Sequence, residues 1–548
     1  MKMESYRLPS AQPLAEAYSD RTDSRLDALF GYHPADPGDW HKRLAALARP
    51  NPLRAPAERT ADALRAYNRR FNASPQTEAA LNLLAEGAPV VVGGQQAVLW
   101  TGPMLVIHKA LSIVQTAKWA SQTLRRPVVP VFWIAGEDHD WDEASHTYIP
   151  HHEEGIRKLE VARPAGARTS VSRTALTESK RKEMLAELVA SLPDSEHKPQ
   201  LLDRLCGLVS RCGTLTELCA GMLGMLFGSE GLVLLDSDDP ALRRVEGPMF
   251  RQLIARNDEL EAAYGSASKQ VSELGYKPQA DAAAGGANLF LFRPVGASEA
   301  ERTLLFKRDG AFTDKRGVHH WTNGQLLEIA ESEPELLSNN VLTRPLMQEY
   351  LFPVLSTVLG PGEIAYWAQT GEAFRLFGME MPIVTPRMGF TLIEPAAAKH
   401  MDLFGLSFDD VLHRFDDHKS AWLKQQDRFG IEMSFAAAKL RFEELYRPLL
   451  NMAADVERGL AALGESNLQR ILGQIQYMHD KTEQAFRQTQ MTSVRRFDAI
   501  AGCIAPLGKP QERAVNMLHF WNRYGPGWME PLLAAPFEPG IGHRIIYL

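Results

Sequence analysis

A seven-residue apolar run changes abruptly to glycine and acids in Val128-Val-Pro-Val-Phe-Trp-Ile-Ala-Gly-Glu-Asp-His-Asp140. Such a run is typical of a strand in a parallel sheet, because both faces of that strand are buried. Residues that follow the carboxyl end of a parallel strand point into the ligand crevice. The stretch therefore predicts a core strand that delivers residues 137–140 to a functional site.

Three more apolar runs, each followed by glycine or a charged residue, extend this strand into a sheet. They occupy residues 89–92, 232–235 and 382–386. Apolar residues at helical spacing over 104–124 connect the first of these runs to 128–134, which indicates a right-handed βαβ unit. We therefore predict an α/β fold with a doubly wound parallel sheet, in which ligands bind at the carboxyl ends of the strands.

The segments between the core runs differ from them in composition. Residues 151–225 are charged and helical in pattern, whereas 285–325 carry β-hairpin signals. We divide the chain into a helical lead-in with the first half of the core (1–150), a helical insertion (151–225), a core continuation (226–284), a β-hairpin insertion (285–335), the second half of the core (336–405), a helical arm (406–500) and a C-terminal segment docked on the core (501–548).

The arm carries an apolar stripe typical of a coiled coil. Its members step by three or four residues and are Leu445, Leu449, Met452, Val456, Leu460 and Leu463. Gly464 is predicted to end this helix, and a second stripe over 468–486 predicts an antiparallel partner. Because the arm cannot bury its outer stripe alone, we expect a homodimer formed through it. A purely intramolecular brace is the alternative.

Composition and charge narrow the class of protein. The 548 residues include 60 Lys and Arg against 67 Asp and Glu, for a net charge of −7, and 45% are hydrophobic. The chain is therefore globular and lacks the basic stripe that nucleic-acid binding requires. Acids and prolines near the N-terminus, and apolar runs too short to cross a bilayer, predict no secretion and no membrane association. Four cysteines without a CxxC pair indicate reduced thiols in the cytoplasm.

The first candidate site is the glycine-rich stretch GGQQAVLWTGP at 93–103. It joins a strand end to a helix start, where free backbone N–H groups favour a phosphate or carboxylate. The residues offered to such an anion are Gly94, Gln95, Gln96, Thr101, Gly102 and Pro103. The stretch is neither a Walker A loop nor GxGxxG. A tight strand-to-helix turn capped by polar side chains is an equally good interpretation.

The second candidate site is the acidic run after the 128–134 strand. Glu137, Asp138 and Asp140 surround His139, in a position to bind an amine or phosphate or to move a proton. A metal-dependent hydrolase built on residues 137–146 is the competing chemical hypothesis. The spacing matches neither HExxH nor an EF-hand loop, so we assign no metal site. The structural alternative is an acid-rich helix start stabilised by the helix dipole.

The third candidate site is the stretch GPGEIAYWAQ at 360–369. Glu363, Tyr366 and Gln369 recur at intervals of three and are predicted to share one helix face. Asp236 and Arg387 follow two other core runs and are candidates for the same pocket. Arg344 and Arg387 are candidate anion partners, with His108 and Lys109 as lesser candidates, and surface ion pairs are the alternative for the arginines. A capped amphipathic helix is the alternative.

These segments together resemble the cysteine ligase BshC family of bacillithiol biosynthesis. The matching motifs are Gly94-Gln-Gln-Ala97 with Thr101-Gly-Pro103, Pro130 to Asp140, Leu235-Asp-Ser237, Gly360 to Gln369 and His543 to Leu548. Their order and spacing span nearly the whole chain. The resemblance implies a Rossmann-like core related to class I nucleotidyl-transfer enzymes, with inserted connective segments and a coiled coil used for dimerisation.

The resemblance also implies that cysteine is added to glucosaminyl-malate through an amide bond. By analogy with class I synthetases, an ATP-derived cysteinyl adenylate would activate the carboxylate, with ATP or another adenine nucleotide and Mg²⁺ as cofactors. The chain lacks HIGH and KMSKS segments, so another activation route and a regulatory nucleotide stay open.

Roles for the candidate residues follow from this reaction. His139 would act in proton transfer, Asp138 or Glu137 would hold an ammonium, and the 94–103 stretch would bind a triphosphate or malyl carboxylate. The remaining pocket residues would be Asp236, Glu363, Tyr366 and Gln369. Besides the ligase and the hydrolase, a non-catalytic nucleotide-binding oligomeric module is a third hypothesis.

Overall fold

The computed structural model describes residues 2–151, 155–280, 285–295, 299–540 and 542–548. These residues form two compact units. The core unit comprises 2–391 and 511–546, and the arm unit comprises 392–510 and 547–548. The C-terminal residues 511–546 therefore belong to the same unit as the predicted sheet.

The strands in the described ranges are β1 (Lys2–Tyr6), β2 (Val90–Gln95), β3 (Val129–Ile134), β4 (His146–His151), β5 (Gly155–Glu160), β6 (Val233–Asp236), β7 (Gly286–Val295), β8 (Glu299–Arg308), β9 (Ala311–Thr313), β10 (His320–Trp321), β11 (Leu337–Asn339), β12 (Val354–Leu359), β13 (Ile383–Pro386), β14 (Gly389–Ile393) and β15 (His543–Tyr547).

The helices are α1 (Pro13–Ser19), α2 (Asp27–Phe30), α3 (Pro37–Leu47), α4 (Ala57–Phe71), α5 (Pro75–Ala85), α6 (Leu105–Leu124), α7 (Trp141–Ala144), α8 (Glu178–Ser191), α9 (Lys198–Arg211), α10 (Leu215–Phe227), α11 (Pro240–Ala255), α12 (Asn257–Glu273), α13 (Asn323–Ser332), α14 (Arg344–Leu351), α15 (Pro361–Trp367), α16 (Gly371–Leu376), α17 (Pro395–Phe404), α18 (Phe408–His413), α19 (Phe415–Gln426), α20 (Ile431–Val456), α21 (Gly459–Thr489), α22 (Met491–Ile504), α23 (Leu518–Tyr524) and α24 (Glu530–Leu533). Within the described ranges, no helix combines the length and apolarity needed to cross a membrane.

The core unit is built around a five-stranded parallel sheet in the order β13-β12-β2-β3-β6. Strands β2 and β3 pair from Val90 opposite Val129 to Gln95 opposite Ile134, and α6 forms the crossover between them. Every residue of β3 is buried, which its apolar sequence makes favourable. The predicted α/β fold and four of its strands are confirmed, whereas the patterns above do not predict β12.

The two insertions are only partly as predicted. The expected β-hairpin of β7 and β8 is present and belongs to an antiparallel sheet in the order β10-β9-β8-β7-β11. The segment predicted to be helical from residue 151 begins instead within a hairpin of β4 and β5, followed by α8, α9 and α10. Alternation explains the hairpin, because Ile149 and Leu159 are buried while their neighbours are more exposed.

The arm unit contains the predicted antiparallel helix pair, α20 and α21. Tyr446 donates a hydrogen bond from its hydroxyl to Asn467 Oδ1 over 2.9 Å. The turn lies at Glu457, which is extended, and α21 continues through Gly464, so the predicted helix end at Gly464 is wrong. A Cβ at Gly464 would lie 2.7 Å from Leu450 Cδ2. This glycine therefore serves close helix packing rather than termination.

Candidate functional site

The carboxyl edge of the parallel sheet is the candidate active site. Along the chain, β2 is followed on one side by β3 and β6, whereas β12 and β13 lie on the other side. The strand order therefore reverses between β2 and β12. Open α/β sheets bind ligands outside the carboxyl ends of their strands at such a switch point. The three predicted site segments all begin at this edge.

His139 and Asp138 lie beyond the end of β3, close to an arginine from β8. His139 Nδ1 is 3.1 Å from Arg302 Nη1 and 3.7 Å from Asp138 Oδ1. Burial, and next the charge of Arg302, lower the pKa of His139 below its usual value. The imidazole is therefore neutral at physiological pH. Because a guanidinium only donates, Nδ1 accepts the Arg302 N–H and Nε2 carries the ring proton, so Nδ1 can take a proton once Arg302 releases it.

Arg302 is itself held in place by the insertion sheet. Its Nε donates to Ser338 Oγ at 3.0 Å, its Nη2 donates to the Asn339 carbonyl at 2.8 Å, and its guanidinium stacks 3.7 Å from the centre of the Phe290 ring. These contacts hold the positive charge of Arg302 in a fixed position beside His139.

Glu137 turns away from His139 into a buried ionic network. Its carboxylate pairs with the fully buried Arg243 and accepts the Asn339 backbone N–H at 3.3 Å. Arg243 Nη1 also pairs with Glu246 Oε2 at 2.7 Å. Burial raises the pKa of Glu246 to about 7. The predicted grouping of Glu137 with Asp138 and His139 is therefore separated, since Glu137 is committed to a structural arginine.

Asp140 and Asp236 both accept hydrogen bonds from other groups of the protein. Asp140 is exposed and caps α7, where its Oδ1 accepts the Glu143 N–H at 3.1 Å. Asp236 is buried at the end of β6 and accepts a hydrogen bond from the Ser172 hydroxyl at 2.8 Å. Burial, and next the charge of Asp238, raise the pKa of Asp236 to about 7. Asp236 is the buried acid of this edge that can hold a proton near neutral pH.

The 93–103 stretch is more enclosed than an open anion cradle. A Cβ at Gly94 would lie 2.7 Å from the Trp133 carbonyl oxygen, so this glycine allows close approach of β3. Gln95 is half-buried, and Gln96 is buried with no partner for its Nε2 among the described residues. Among the described residues of this stretch, Gln96 Nε2 and Trp100 Nε1 are both buried donors without a partner.

The helix start of this stretch is covered by the C-terminal segment. Thr101 is fully buried and donates its hydroxyl to the Trp100 carbonyl at 2.5 Å. Asn516 Nδ2 donates to the Gly102 carbonyl at 2.7 Å and forms a bridge with Pro103, while the Met104 N–H bonds to Val515. Anion binding by Thr101, Gly102 and Pro103 stays a prediction, and the structure shows these groups already bonded to protein.

A cationic cluster occupies the switch point between β2 and β12. The buried Lys109 of α6 donates to the Gly94 carbonyl at 3.0 Å and pairs with Glu363. Arg344 donates to the Tyr366 hydroxyl and lies 3.8 Å from Glu363 Oε1. Glu363 and Tyr366 therefore share a face, as predicted. The cluster thus contains Arg344, a candidate anion partner from the sequence, and Lys109, a lesser candidate.

Gln369 and Arg387 lie outside this cluster. Gln369 follows the end of α15, and its Oε1 accepts the backbone N–H groups of Gln279 and Ala280 at 3.0 and 2.9 Å. The predicted face shared by Gln369 is therefore wrong, because the helix ends before it. Arg387 pairs with Glu512 through two bonds of 2.8 and 2.7 Å, beside a separate cavity of about 430 Å³.

No group of three or more His, Cys, Asp and Glu side chains is placed to hold a metal ion within the described ranges. Sequence reasoning names Arg344 as a candidate anion partner and Lys109 as a lesser one, and it misses the cations Arg243 and Arg302. Lys109 carries a local signal, because a lysine within an apolar helical stripe is unusual.

Comparisons with known proteins cover the whole chain. Residues 1–388 match the family model for the N-terminal Rossmann-like domain of bacillithiol biosynthesis BshC, and residues 390–548 match the model for its C-terminal coiled-coil domain. A relative from Geobacillus kaustophilus, named "Putative cysteine ligase BshC", is 37% identical over 100% of both chains. A relative of the same name from Bacillus licheniformis is 33% identical over 100% of both chains. The chain therefore belongs to the BshC family of bacillithiol biosynthesis, as the motif resemblance predicts.

Proposed function

We propose that this protein is a carbon–nitrogen ligase that joins L-cysteine to glucosaminyl-malate in the last step of bacillithiol biosynthesis. The observation that carries the proposal is the match to BshC relatives over the full length of both chains. The neutral imidazole at the carboxyl edge supplies the base that amide formation needs. The comparisons give no support to the hydrolase or to the non-catalytic module.

In this reaction the sugar amine attacks the cysteine carboxyl carbon and a C–N bond forms. One carboxyl C–O bond breaks and the amine loses a proton, so the overall balance is the loss of one water. His139 takes the proton that the amine loses, because its lowered pKa keeps it unprotonated. We assign the cysteine ammonium to Asp138 rather than to Glu137. Asp138 is 41% exposed at its side chain, whereas Glu137 is 6% exposed and paired with Arg243.

We infer that an adenine nucleotide with Mg²⁺ activates the cysteine carboxylate, since amide formation from a free carboxylate is uphill in water. The edge offers an oxyanion the donor Gln96 Nε2, which has no partner among the described residues. The protein's own groups orient the two substrates and move the amine proton. We place the reaction in the cytoplasm, where thiols remain reduced, since no disulfide joins Cys206, Cys212, Cys219 and Cys503.

The proposal is tested by incubating purified protein with cysteine and glucosaminyl-malate, with and without ATP and Mg²⁺. Product that requires ATP and appears with AMP supports nucleotide-driven activation. Product that forms without nucleotide supports the ligase and contradicts activation of the carboxylate by a nucleotide. Cysteine and glucosaminyl-malate recovered unchanged in every arm contradict the ligase and favour the non-catalytic module.

We also propose that the protein is a homodimer formed through the arm. Four residues of the predicted stripe on α20 are exposed in the single chain, namely Leu445 at 71%, Leu449 at 50%, Met452 at 60% and Val456 at 78%. Their spacing of four, three and four residues places them on one side of the helix. Such a stripe is costly to leave in water, which favours burial against a second copy.

The double substitution Leu449→Glu and Met452→Glu is expected to convert the dimer to a monomer, because it buries charge in the interface. Light scattering after gel filtration measures the mass. The matched control combines Glu443→Gln on α20 with Glu465→Gln on α21. This double substitution should leave the mass unchanged. A wild-type mass of one chain, or a dimer that survives the double substitution, contradicts this arrangement.

A further inference from the structure

The cluster at the switch point contains a cation that the roles above do not use. Arg344 opens α14 and is 16% exposed at its side chain. One guanidinium nitrogen, Nη2, donates to the Tyr366 hydroxyl and lies 3.8 Å from Glu363 Oε1. Among the described residues, no group accepts a hydrogen bond from Arg344 Nε or Nη1. Nη2 has a second N–H bond, and together with the N–H of Nη1 or of Nε it forms one bidentate edge of the guanidinium that remains for a ligand.

Lys109 and Glu363 fix the position of this arginine. Glu363 Oε2 accepts the Gly360 N–H at 2.7 Å and pairs with Lys109, which also donates to the Gly94 carbonyl at 3.0 Å. These bonds connect the end of β2 to the start of α15 across the switch point. Glu363 is thus anchored before any ligand arrives, and Arg344 is held beside it.

The charge of the cluster favours an anion. Lys109 and Arg344 carry two positive charges against one carboxylate of Glu363. Tyr366 accepts a hydrogen bond from Arg344, so its own hydroxyl proton is free to be donated. Burial raises the pKa of Tyr366 to about 12, and the phenol therefore keeps that proton at neutral pH.

We propose that Arg344 and Tyr366 form a subsite for an oxyanion of the substrates, with Lys109 and Glu363 as positioning residues. The ligand group is a carboxylate or a phosphate, because a planar guanidinium fork binds either through two parallel hydrogen bonds. The inference rests on the proposed function, in which glucosaminyl-malate offers carboxylates and the nucleotide offers phosphates.

The test is calorimetric titration of the full-length protein with glucosaminyl-malate, with glucosamine, which lacks the carboxylates, and with Mg-ATP. Arg344→Gln is expected to weaken one anionic ligand about 10- to 100-fold and to leave glucosamine unaffected. Loss confined to glucosaminyl-malate identifies a carboxylate subsite, and loss confined to Mg-ATP identifies a phosphate subsite. Equal affinities in wild type and Arg344→Gln overturn the proposal, as does a wild type that binds neither anion.

The matched control is Arg65→Gln, because Arg65 of α4 is 17% exposed, similar to Arg344, and pairs at 2.9 Å with Glu78 of α5. Its affinities should equal those of wild type, and an equal loss in Arg65→Gln also overturns the proposal. Turnover measured in parallel separates the two proposals. An inactive wild type whose anion binding depends on Arg344 removes the ligase and keeps the subsite. An active wild type whose anion binding is unchanged by Arg344→Gln keeps the ligase and removes the subsite.

Discussion

Replacing His139 by alanine lowers turnover by about 10²–10⁴-fold, the usual contribution of a general base. The imidazole lies beyond the end of β3 and is unprotonated because burial and Arg302 lower its pKa. Asp138 Oδ1 lies 3.7 Å from the same Arg302 nitrogen, Nη1. Steady-state kinetics of the purified variant measure the loss, and circular dichroism should show an unchanged fold.

His146→Ala is the control for this substitution. His146 lies in the same acidic stretch, but its Nδ1 bonds to the Asp142 carbonyl at 2.8 Å rather than facing Arg302. Its turnover should match wild type. Normal turnover by His139→Ala, or an equal loss in both variants, would remove His139 from the mechanism.

The pH dependence of kcat/KM gives a second readout of the same assignment. Activity should rise with pH through a value below the ordinary histidine pKa of about 6.5, since the base must be unprotonated. Arg302→Lys keeps the neighbouring charge and should keep this limb, whereas Arg302→Gln should move it to higher pH. If the pH at which kcat/KM rises is the same in wild type and both variants, Arg302 does not lower the pKa of the catalytic base.

Replacing Arg243 by methionine destabilises the protein by about 3–5 kcal/mol, the cost of leaving buried carboxylates without their cation. Arg243 is fully buried between Glu137 and Glu246. Without it, the pKa of Glu246 rises further, because the charge of Arg243 opposes the effect of burial on that carboxyl group. When the pKa of an acid is higher in the folded protein than in the unfolded chain, the folded protein loses stability as pH rises through the folded pKa. The destabilisation by Arg243→Met should therefore be larger at pH 8 than at pH 5.

Urea unfolding followed by circular dichroism at the two pH values measures this effect. The control is Arg251→Met on the same helix, α11, because Arg251 is 46% exposed and its partner Glu331 is 70% exposed. Exposed pairs contribute about 0–1 kcal/mol, so the control should stay close to wild type. A loss for Arg243→Met that is equally small, or equal at both pH values, would show that the buried network is not coupled as described.

The sequence predicts the core strands well where an apolar run ends in glycine or charge. Strand β12 escapes this rule because Ser356 and Thr357 interrupt its apolar run although both are buried. Their burial is tolerated partly because Ser356 Oγ bonds to Thr385 Oγ1 at 2.7 Å on the neighbouring strand. A pairing between residues so distant in the chain leaves no periodic signal in either segment.

The same limit applies to the candidate site. Asp138, His139, Glu363 and Tyr366 follow strand ends directly and are therefore selected by local motifs. Of their cationic partners, Arg344 is named from the sequence as a candidate anion partner, whereas Arg302 comes from the insertion sheet, where a lone arginine resembles an ordinary surface residue. The position of Gly464 shows the converse error, since a glycine at a helix contact resembles one at a helix end.

The most direct test of the account is a single-turnover reaction in which the protein is in molar excess over glucosaminyl-malate, with cysteine, ATP and Mg²⁺ present. Mass spectrometry should find one product whose mass equals glucosaminyl-malate plus cysteine minus water, with fragments that place the cysteine on the sugar nitrogen. Wild type should convert the acceptor completely while His139→Ala converts little in the same time. Unconverted acceptor with wild type, or cysteine attached elsewhere than the sugar nitrogen, would contradict the assignment of this chain as the cysteine-adding ligase.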